Sequence, residues 1–468
     1  MVVAWIPGVI GAQGRPPVIP LRYAEDNTYL ADPNRRTESL DSLKYISLGP
    51  APGSYLSLGG QVRQMYERFE NPAGEVRDWW PTRLMVNADL NLADGRFRLF
   101  GHLASGFLLN DQPPRPIDVD RLYVLNLFGE ARLKRFGGME STEELRLRVG
   151  RIELNYGAAR LITLREGPNV RHYWDGGQLL LRRKNWKFDA LFVSYGATLP
   201  GYFDDPVLNG QENLWGLYAT NERRAKNQPT RTVDIYYLGL DDRSRAFFSR
   251  AGQETRHTLG ARWARKSATL ELDVEGMGQF GEAGEQSIRA YGLSAMAEYT
   301  LRSGPNNGSG VTTGGPGIDL GLMIDYWSGD RDTTDRVLNN FNPLYPRQGY
   351  YRGAGQLFPS NFFDIAVYAA FDFGAGLTAS TGYTYYWRTS TQDGIYTGGA
   401  GRPTLAPRPL AGQHALGGQF DATLGYAYDR HLTLNAKYSR FWADGFVEAT
   451  PTPQEIRHFF NIILSYRI

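Results

Sequence analysis

The stretch HFFNIILSYRI, residues 458–468, decides the fold. Every second residue back from its end, Ile468, Tyr466, Leu464, Ile462 and Phe460, is apolar or aromatic. Arg467, Ser465, Ile463, Asn461 and Phe459 fall between them and become more polar towards the end. A period of two is a β-strand with one greasy face. The sequence stops on this strand, so the expectation is that no later segment folds over that face and that something outside the chain covers it.

The same alternation recurs upstream. YLSLGGQVRQMYE (55–67) sets Leu56, Leu58 and Val62 against Ser57, Gln61, Arg63 and Glu67. TRLMVNADLNL (82–92) sets Leu84, Val86 and Leu90 against Arg83, Asn87, Asp89 and Asn91. RFRLFGHL (96–103) opposes Phe97, Leu99 and Leu103 to Arg96, Arg98 and His102, and LRLRVG (145–150) opposes Leu145, Leu147 and Val149 to Arg146 and Arg148. In the second half, ATLELDVEG, DLGLMIDYW and FDIAVYAAFDF repeat the theme. About eighteen such segments begin near residues 55, 80, 96, 120, 145, 177, 186, 213, 231, 257, 267, 287, 317, 362, 376, 414, 430 and 455. Several reach ten or more residues, enough to cross an apolar layer at a tilt. Tyr and Trp gather near strand ends, as in Tyr383-Thr384-Tyr385-Tyr386-Trp387, where a ring can sit half wet at headgroup level. The expected fold is all-β: a closed antiparallel transmembrane β-barrel of eighteen strands, whose last strand is covered by lipid and paired with the first.

Composition agrees. The 468 residues include 28 Tyr, 23 Phe, 10 Trp and 54 Gly, and mean hydropathy is −0.41, a polar average that alternating strands produce. Past the N-terminus no run of about 18 apolar residues provides a membrane-crossing helix. A net charge of +2 makes no case for nucleic acid, and zero Cys removes disulfides, Cys zinc sites and thiol nucleophiles. Only about seven of the 51 basic residues are Lys; the rest are Arg, whose planar fork grips carboxylates in pairs.

Three regions are expected. Residues 1–14 read as the remnant of a secretory signal, residues 15–54 as a polar segment ahead of the barrel, and residues 55–468 as the barrel. Long polar connections at 198–212, 303–316, 328–361 and 389–413 contrast with short turns at Asp94-Gly95 and Asp429-Arg430, as on the outer and periplasmic faces of such barrels.

LRLRVGRIELNYGAARLITLREGPNVRHYWDGGQLLL (145–181) resembles the alginate-export outer-membrane porin family. PLRYAEDNTYLADPNRRTESLDSLKYISLG (20–49), WSGDRDTTDRVLNNFNPLYPRQGYY (327–351) and the last strand carry the same resemblance. It implies an 18-stranded barrel in the bacterial outer membrane that passes a polyuronate outwards through an Arg-lined constriction. Such barrels usually end in Phe; here the residue is Ile468.

Moving a polyanion needs a wet path with positive charge at its narrowest point and attraction shallow enough for release. The densest basic stretch holds Arg146, Arg148, Arg151, Arg160, Arg165, Arg171 and Arg182. Parity turns Arg146 and Arg148 inward, and Arg160, Arg165 and Arg171 lie in a non-alternating segment too long for a turn, which can fold into the lumen. Further candidates for the substrate path are Arg63, Arg98, Arg262, Arg388 and Arg457, with Glu271, Asp273 and Glu275 expected to pair across the lumen. Arg467 is expected to point to water.

No catalytic residue, metal site or cofactor is expected. Asp330, Asp332 and Asp335 read as a solvated outer loop, since the Gly and Glu of a calcium-loop motif are missing. Expected partners are outer-membrane lipid, an anionic polysaccharide and a periplasmic export apparatus, with the barrel itself a monomer. Two other classes compete: a porin for small organic acids or sugars, and a barrel enzyme built around His102.

Overall fold

The computed structural model describes residues 16, 18–49, 53–138, 141–225, 228–243, 246–247, 250–302, 317–332, 334–347, 357–396, 403–405, 413–449 and 457–468. Alternating segments of 9 to 17 residues form the strands. In chain order they are β1 (Tyr55–Glu70), β2 (Pro81–Leu92), β3 (Phe97–Leu108), β4 (Asp120–Arg135), β5 (Glu144–Ile152), β6 (Trp174–Arg183), β7 (Trp186–Tyr195), β8 (Glu212–Arg223) and β9 (Thr230–Asp242). The second half supplies β10 (Glu254–Lys266), β11 (Leu270–Ala283), β12 (Gln286–Arg302), β13 (Gly317–Trp327), β14 (Phe362–Gly374), β15 (Leu377–Trp387), β16 (Ala415–Ala427), β17 (Leu432–Ala443) and β18 (His458–Arg467). Each begins within three residues of its expected start.

Every strand pairs antiparallel with its sequence neighbour, and β18 closes the ring on β1 from Gln61↔Arg467 to Glu70↔His458. Of the 21 strands in this sheet, three short ones (46–47, 76–79 and 337–338) ride on the ring, leaving the expected eighteen. Closure removes the open edges that hydrocarbon does not tolerate.

Parity holds along the strands. On β2, Leu84 and Val86 are 41% and 60% exposed to the outside, while Arg83, Asn87, Asp89 and Asn91 are buried inside. Outside, Tyr291, Tyr326, Phe363, Trp387 and Tyr385 touch in series across four neighbouring strands, with ring centroids 4.6–6.4 Å apart. This is an aromatic belt at the membrane–water boundary. Arginine on the lipid face near mid-depth costs about 2–4 kcal/mol. Val367→Arg, at a 55% exposed outward position in the middle of β14, should therefore cut the yield of heat-modifiable barrel on an unboiled gel, while Val367→Leu should not. Equal yields of both would show that the outward face is misassigned.

Tyr55 and Arg467, the two ends of the barrel, lie at the rim that carries the short turns 93–96, 184–185, 375–376 and 428–431. The long connections 109–119, 153–173, 196–211, 328–361 and 388–414 leave the opposite rim. The expected long connection 303–316 lies outside the described residues; the strand ends it joins, Arg302 and Gly317, pair at the short-turn rim. The two-residue turn 284–285 closes β11 and β12 at the other.

The lumen contains a buried core. Residues 18–31 lie in it from the short-turn rim, and residues 153–173 and 337–345 fold in from the other. Tyr23 packs edge-on against Phe100 and Phe128 at 5.9 and 5.3 Å. Phe341, Leu344 and Tyr345 are buried with Leu161 and Ile162. The two inner loops join through the backbone: Tyr345 N–H donates to the Leu161 carbonyl at 2.8 Å, and Thr163 N–H donates to the Tyr345 carbonyl at 3.1 Å. Residues 328–361 were expected wholly outside, yet Asn340, Phe341 and Asn342 are fully buried, and Asp330 is buried while Asp332 and Asp335 stay exposed.

Candidate functional site

The inward course of residues 153–173 starts at two glycines. Gly150 on β5 and Gly176 on β6 face each other in register, with φ of 138° and 153°. A Cβ at Gly150 would stand 2.2 Å from the Leu127 carbonyl oxygen, and one at Gly176 2.3 Å from that of Phe192. Only glycine takes this backbone so close to a neighbouring strand. The paired bends mark where β5 and β6 give way to the inner loop.

The loop carries Glu166 to the wall formed by β18, β1 and β2, where four guanidinium groups meet it. Arg83 donates to the Glu166 carboxylate at 2.6 Å, and Arg467 and Arg171 stand 3.4 Å from it. Arg63 donates to the Glu166 and Pro168 carbonyls at 2.8 and 2.7 Å, and Arg83 reaches the same two carbonyls at 3.3 and 3.1 Å. Asn169 locks the turn by donating to the Thr82 and Asp118 carbonyls. Arg63 and Arg83 are direct cross-strand partners. Like charges in that relation repel, so the pair is an arrangement that calls for an anion between them.

Burial alone would raise Glu166, but Arg83, Arg171, Arg467 and Arg63 hold its carboxyl well below the usual carboxylate range. Its side chain remains 28% exposed to the lumen. Behind it Arg171 binds Glu153 at 2.8 Å and donates to the Pro20 carbonyl at 3.0 Å. Glu153, which also accepts from Asn126 at 2.8 Å, is pushed up to about 7 by burial, against the pull of Arg171. Four guanidinium charges less two carboxylates leave a net +2 here when Glu153 is ionised and +3 when it is neutral. Anion preference, read as reversal potential in a salt gradient across a planar bilayer, should therefore weaken as pH rises from 6 to 8. Glu153→Gln should flatten that step; an unchanged step in the variant would assign it to another group.

Across the barrel the charge alternates. Arg160, at the far end of the inner loop, binds Asp273 at 2.9 Å and Glu275 at 2.6 Å, and Arg262 bridges Asp273 at 2.5 Å and Asp234 at 2.9 Å. The loop thus runs from β1 and β2 to β9–β11, near the opposite wall of an eighteen-strand ring. The pairing expected of Asp273 and Glu275 is present; Glu271 instead pairs with Lys266 on the neighbouring strand.

The other sequence candidates separate. Arg148 binds Glu130 at 2.6 Å with its guanidinium 4.6 Å from the Tyr23 ring, and Arg98 holds Asp89 and the Tyr23 carbonyl, both at 2.7 Å. These two anchor the N-terminal segment. Arg146, on Glu130 and Glu144, and the exposed Arg182 stand towards the short-turn rim. Arg151 is tied to Asp175 beneath residues 196–211. Arg388 lies past the end of β15, held by the carbonyls of Thr391, Asp393 and Gln413, and Arg457 precedes β18 at the long-loop rim. Arg165 closes its own turn on the Val170 carbonyl at 3.0 Å and, among the described residues, has no carboxylate partner. His102 is buried with Nδ1 3.4 Å from Asn126, and no serine hydroxyl bonds it among the described residues. Arg467 points into the lumen as expected, but onto Glu166 rather than into open water.

Arg83, Arg467, Glu166 and Glu153 were missed as site residues. The like-charged pair across the β1–β2 hairpin was the available signal for Arg83. No sequence pattern places Glu166.

The family profile described as Alginate export matches residues 54–460. No curated protein matches the chain. Among solved structures, Acinetobacter baumannii OccAB3 is similar at 12% identity and a TM-score of 0.58, over 88% of this chain and 99% of that one. Pseudomonas aeruginosa OccK8 (OprE) has 14% identity and a TM-score of 0.57, over 88% and 98%. P. aeruginosa OccK2 (OpdF), solved with glucuronate, has 12% identity and a TM-score of 0.55, again over 88% and 98%. At these identities the likeness is one of fold, a closed antiparallel β-barrel.

Proposed function

We propose, from the premise that this chain belongs to the alginate export family, that it lets an anionic polyuronate leave the cell passively through its lumen, past the arginines around Glu166. The carrying observation is the seat itself: guanidinium groups from β2, β18 and the inner loop converge on one lumen-exposed carboxylate, and Arg63 of β1 holds the backbone carbonyl of the same residue. A uronate residue presents the same carboxylate. It can take over from Glu166 without the site having to be rebuilt, and Glu166 competing for the same donors keeps each encounter shallow, as conduction requires. The acidic ladder at Asp234, Asp273 and Glu275 repels the polymer from the far wall and keeps it on the arginine side. A periplasmic export apparatus would deliver the chain to the short-turn rim, and the barrel acts as a monomer.

A second reading, uptake of small organic acids, draws support from the two loops and the N-terminal segment that occupy the lumen. A monomer needs less of that space than a polymer. The glucuronate bound by OccK2 is a single uronic acid. Single-channel recording separates the two. Long, voltage-dependent block by polyuronate with little conduction of glucuronate supports export; free glucuronate current without polymer block supports uptake. Neither effect, or anion preference independent of Arg83 and Arg171, would overturn both.

A further inference from the structure

β5 is short, and this leaves a gap in the barrel wall. Its last pair with β4 is Leu127↔Arg151, so residues 120–126 of β4 have no β5 partner. The connection 196–211 lies along that free edge. Leu122 N–H donates to the Gly201 carbonyl at 3.2 Å, and Phe203 N–H donates to the Leu122 carbonyl at 2.8 Å. The contact brings three carboxylates together: Asp120 at the start of β4, and Asp204 and Asp205 on the connection, with one oxygen of each within 4.8 Å of the others.

Asp120 is fully buried, and neither of its carboxylate oxygens has a hydrogen-bond partner. An ionised carboxylate withdrawn from water with nothing to bond is among the costliest groups a fold can bury. While it is ionised its neighbours do not relieve it; only a proton shared with Asp205 would give it a bond. Asp205 accepts from the Tyr173 hydroxyl at 2.8 Å and from Leu199 N–H at 2.7 Å, and Asp204 accepts from Gly201 N–H at 3.0 Å. The nearest cation, Arg151, stands 3.9 Å from Asp205 but gives two bonds, at 2.8 and 3.0 Å, to Asp175. Asp204 is exposed, so the group opens to the outer side.

We propose that Asp120, Asp204 and Asp205 bind a calcium ion that clamps residues 196–211 across the gap in the wall. Three carboxylates with an open side suit a hard cation that takes oxygen ligands and keeps water in its remaining positions. The ion would supply the charge Asp120 lacks and tie the connection to the rigid edge of β4, covering Arg151 and Tyr173. A site of this kind on an outer face works at roughly 10⁻⁴–10⁻³ M calcium.

The test uses the full chain refolded in detergent without lipopolysaccharide, each sample first shown to be heat-modifiable. Tyr202, Phe203 and Leu208 are 65%, 58% and 63% exposed, so chymotrypsin can cut the connection. Calcium at about ten times the dissociation constant should slow that cut about tenfold relative to EDTA, because it binds the docked form. Calorimetry should show one saturable calcium site. Asp120→Asn and the exposed Asp204→Asn should both abolish the site and make cleavage indifferent to EDTA. Calcium-independent cleavage of the native chain, or binding retained in both variants, would overturn the assignment. Protection that follows pH instead of calcium would also overturn it, in favour of a proton shared between Asp120 and Asp205.

Discussion

Changing Arg63, Arg83 and Arg467 together to glutamine should move the channel from anion preference to weak cation preference. The change takes the cluster from four guanidinium charges to one, against Glu166 and Glu153, so the local sum goes from +2 to −1. Two charges 8 Å apart interact by about 2 kcal/mol at an effective dielectric of 20, and that separation is about one Debye length at physiological salt. Three such terms, partly screened, amount to a change of about tenfold or more in the ratio of anion to cation permeability. Glutamine still donates to the Glu166 and Pro168 carbonyls, so the loop should keep its place. Replacing the exposed Arg224, Arg331 and Arg336 in the same way should shift the reversal potential far less. Equal shifts from the two triples would place the selective step away from Glu166. Polyuronate block should weaken in parallel with selectivity.

Alternation was enough to read the barrel, because each strand has lipid on one side and the lumen on the other and the residue pattern follows directly. The same parity turned Arg63 and Arg148 inward correctly. It could not tell a residue facing the lumen from one consumed by packing there. Arg148 and Arg98 are committed to Tyr23 and their own acids, and Arg388 sits beyond its strand in a cage of carbonyls. The Arg63↔Arg83 pair follows from the register of β1 and β2, but the seat of Glu166 between them depends on what crosses the lumen. That course is set by Gly150 and Gly176, two glycines among the chain's 54 whose positive φ only the folded hairpin reveals. Asp330 was read as solvated for the same reason: whether a polar outer loop stays outside is decided by contacts with distant strands. Asn340 and Asn342 sink into the lumen because Arg256, Gln279 and Glu254 on β10 and β11 receive them.

Replacing residues 156–164, the far part of the inner loop, with two glycines should raise conductance several-fold and lower anion selectivity at once. The excised part contains Arg160, Leu161 and Ile162, with the backbone bonds that join this loop to Tyr345. Its loss clears the middle of the lumen and unties the second inner loop on that side. It also uncovers Asp273 and Glu275, which lose the guanidinium 2.6–2.9 Å away, so the wall of Asp234, Asp273 and Glu275 keeps only Arg262 and carries a net −2. Cations then gain a favourable lining opposite the Glu166 cluster, which is left in place. A wider pore of unchanged selectivity would mean that the far wall takes no part in choosing the ion. An unchanged conductance would mean that the N-terminal segment, held by Tyr23 between Phe100, Phe128 and Arg148, is the narrower obstruction. In that case Tyr23→Ala, which removes the ring those three groups grip, should open the channel where the loop deletion did not.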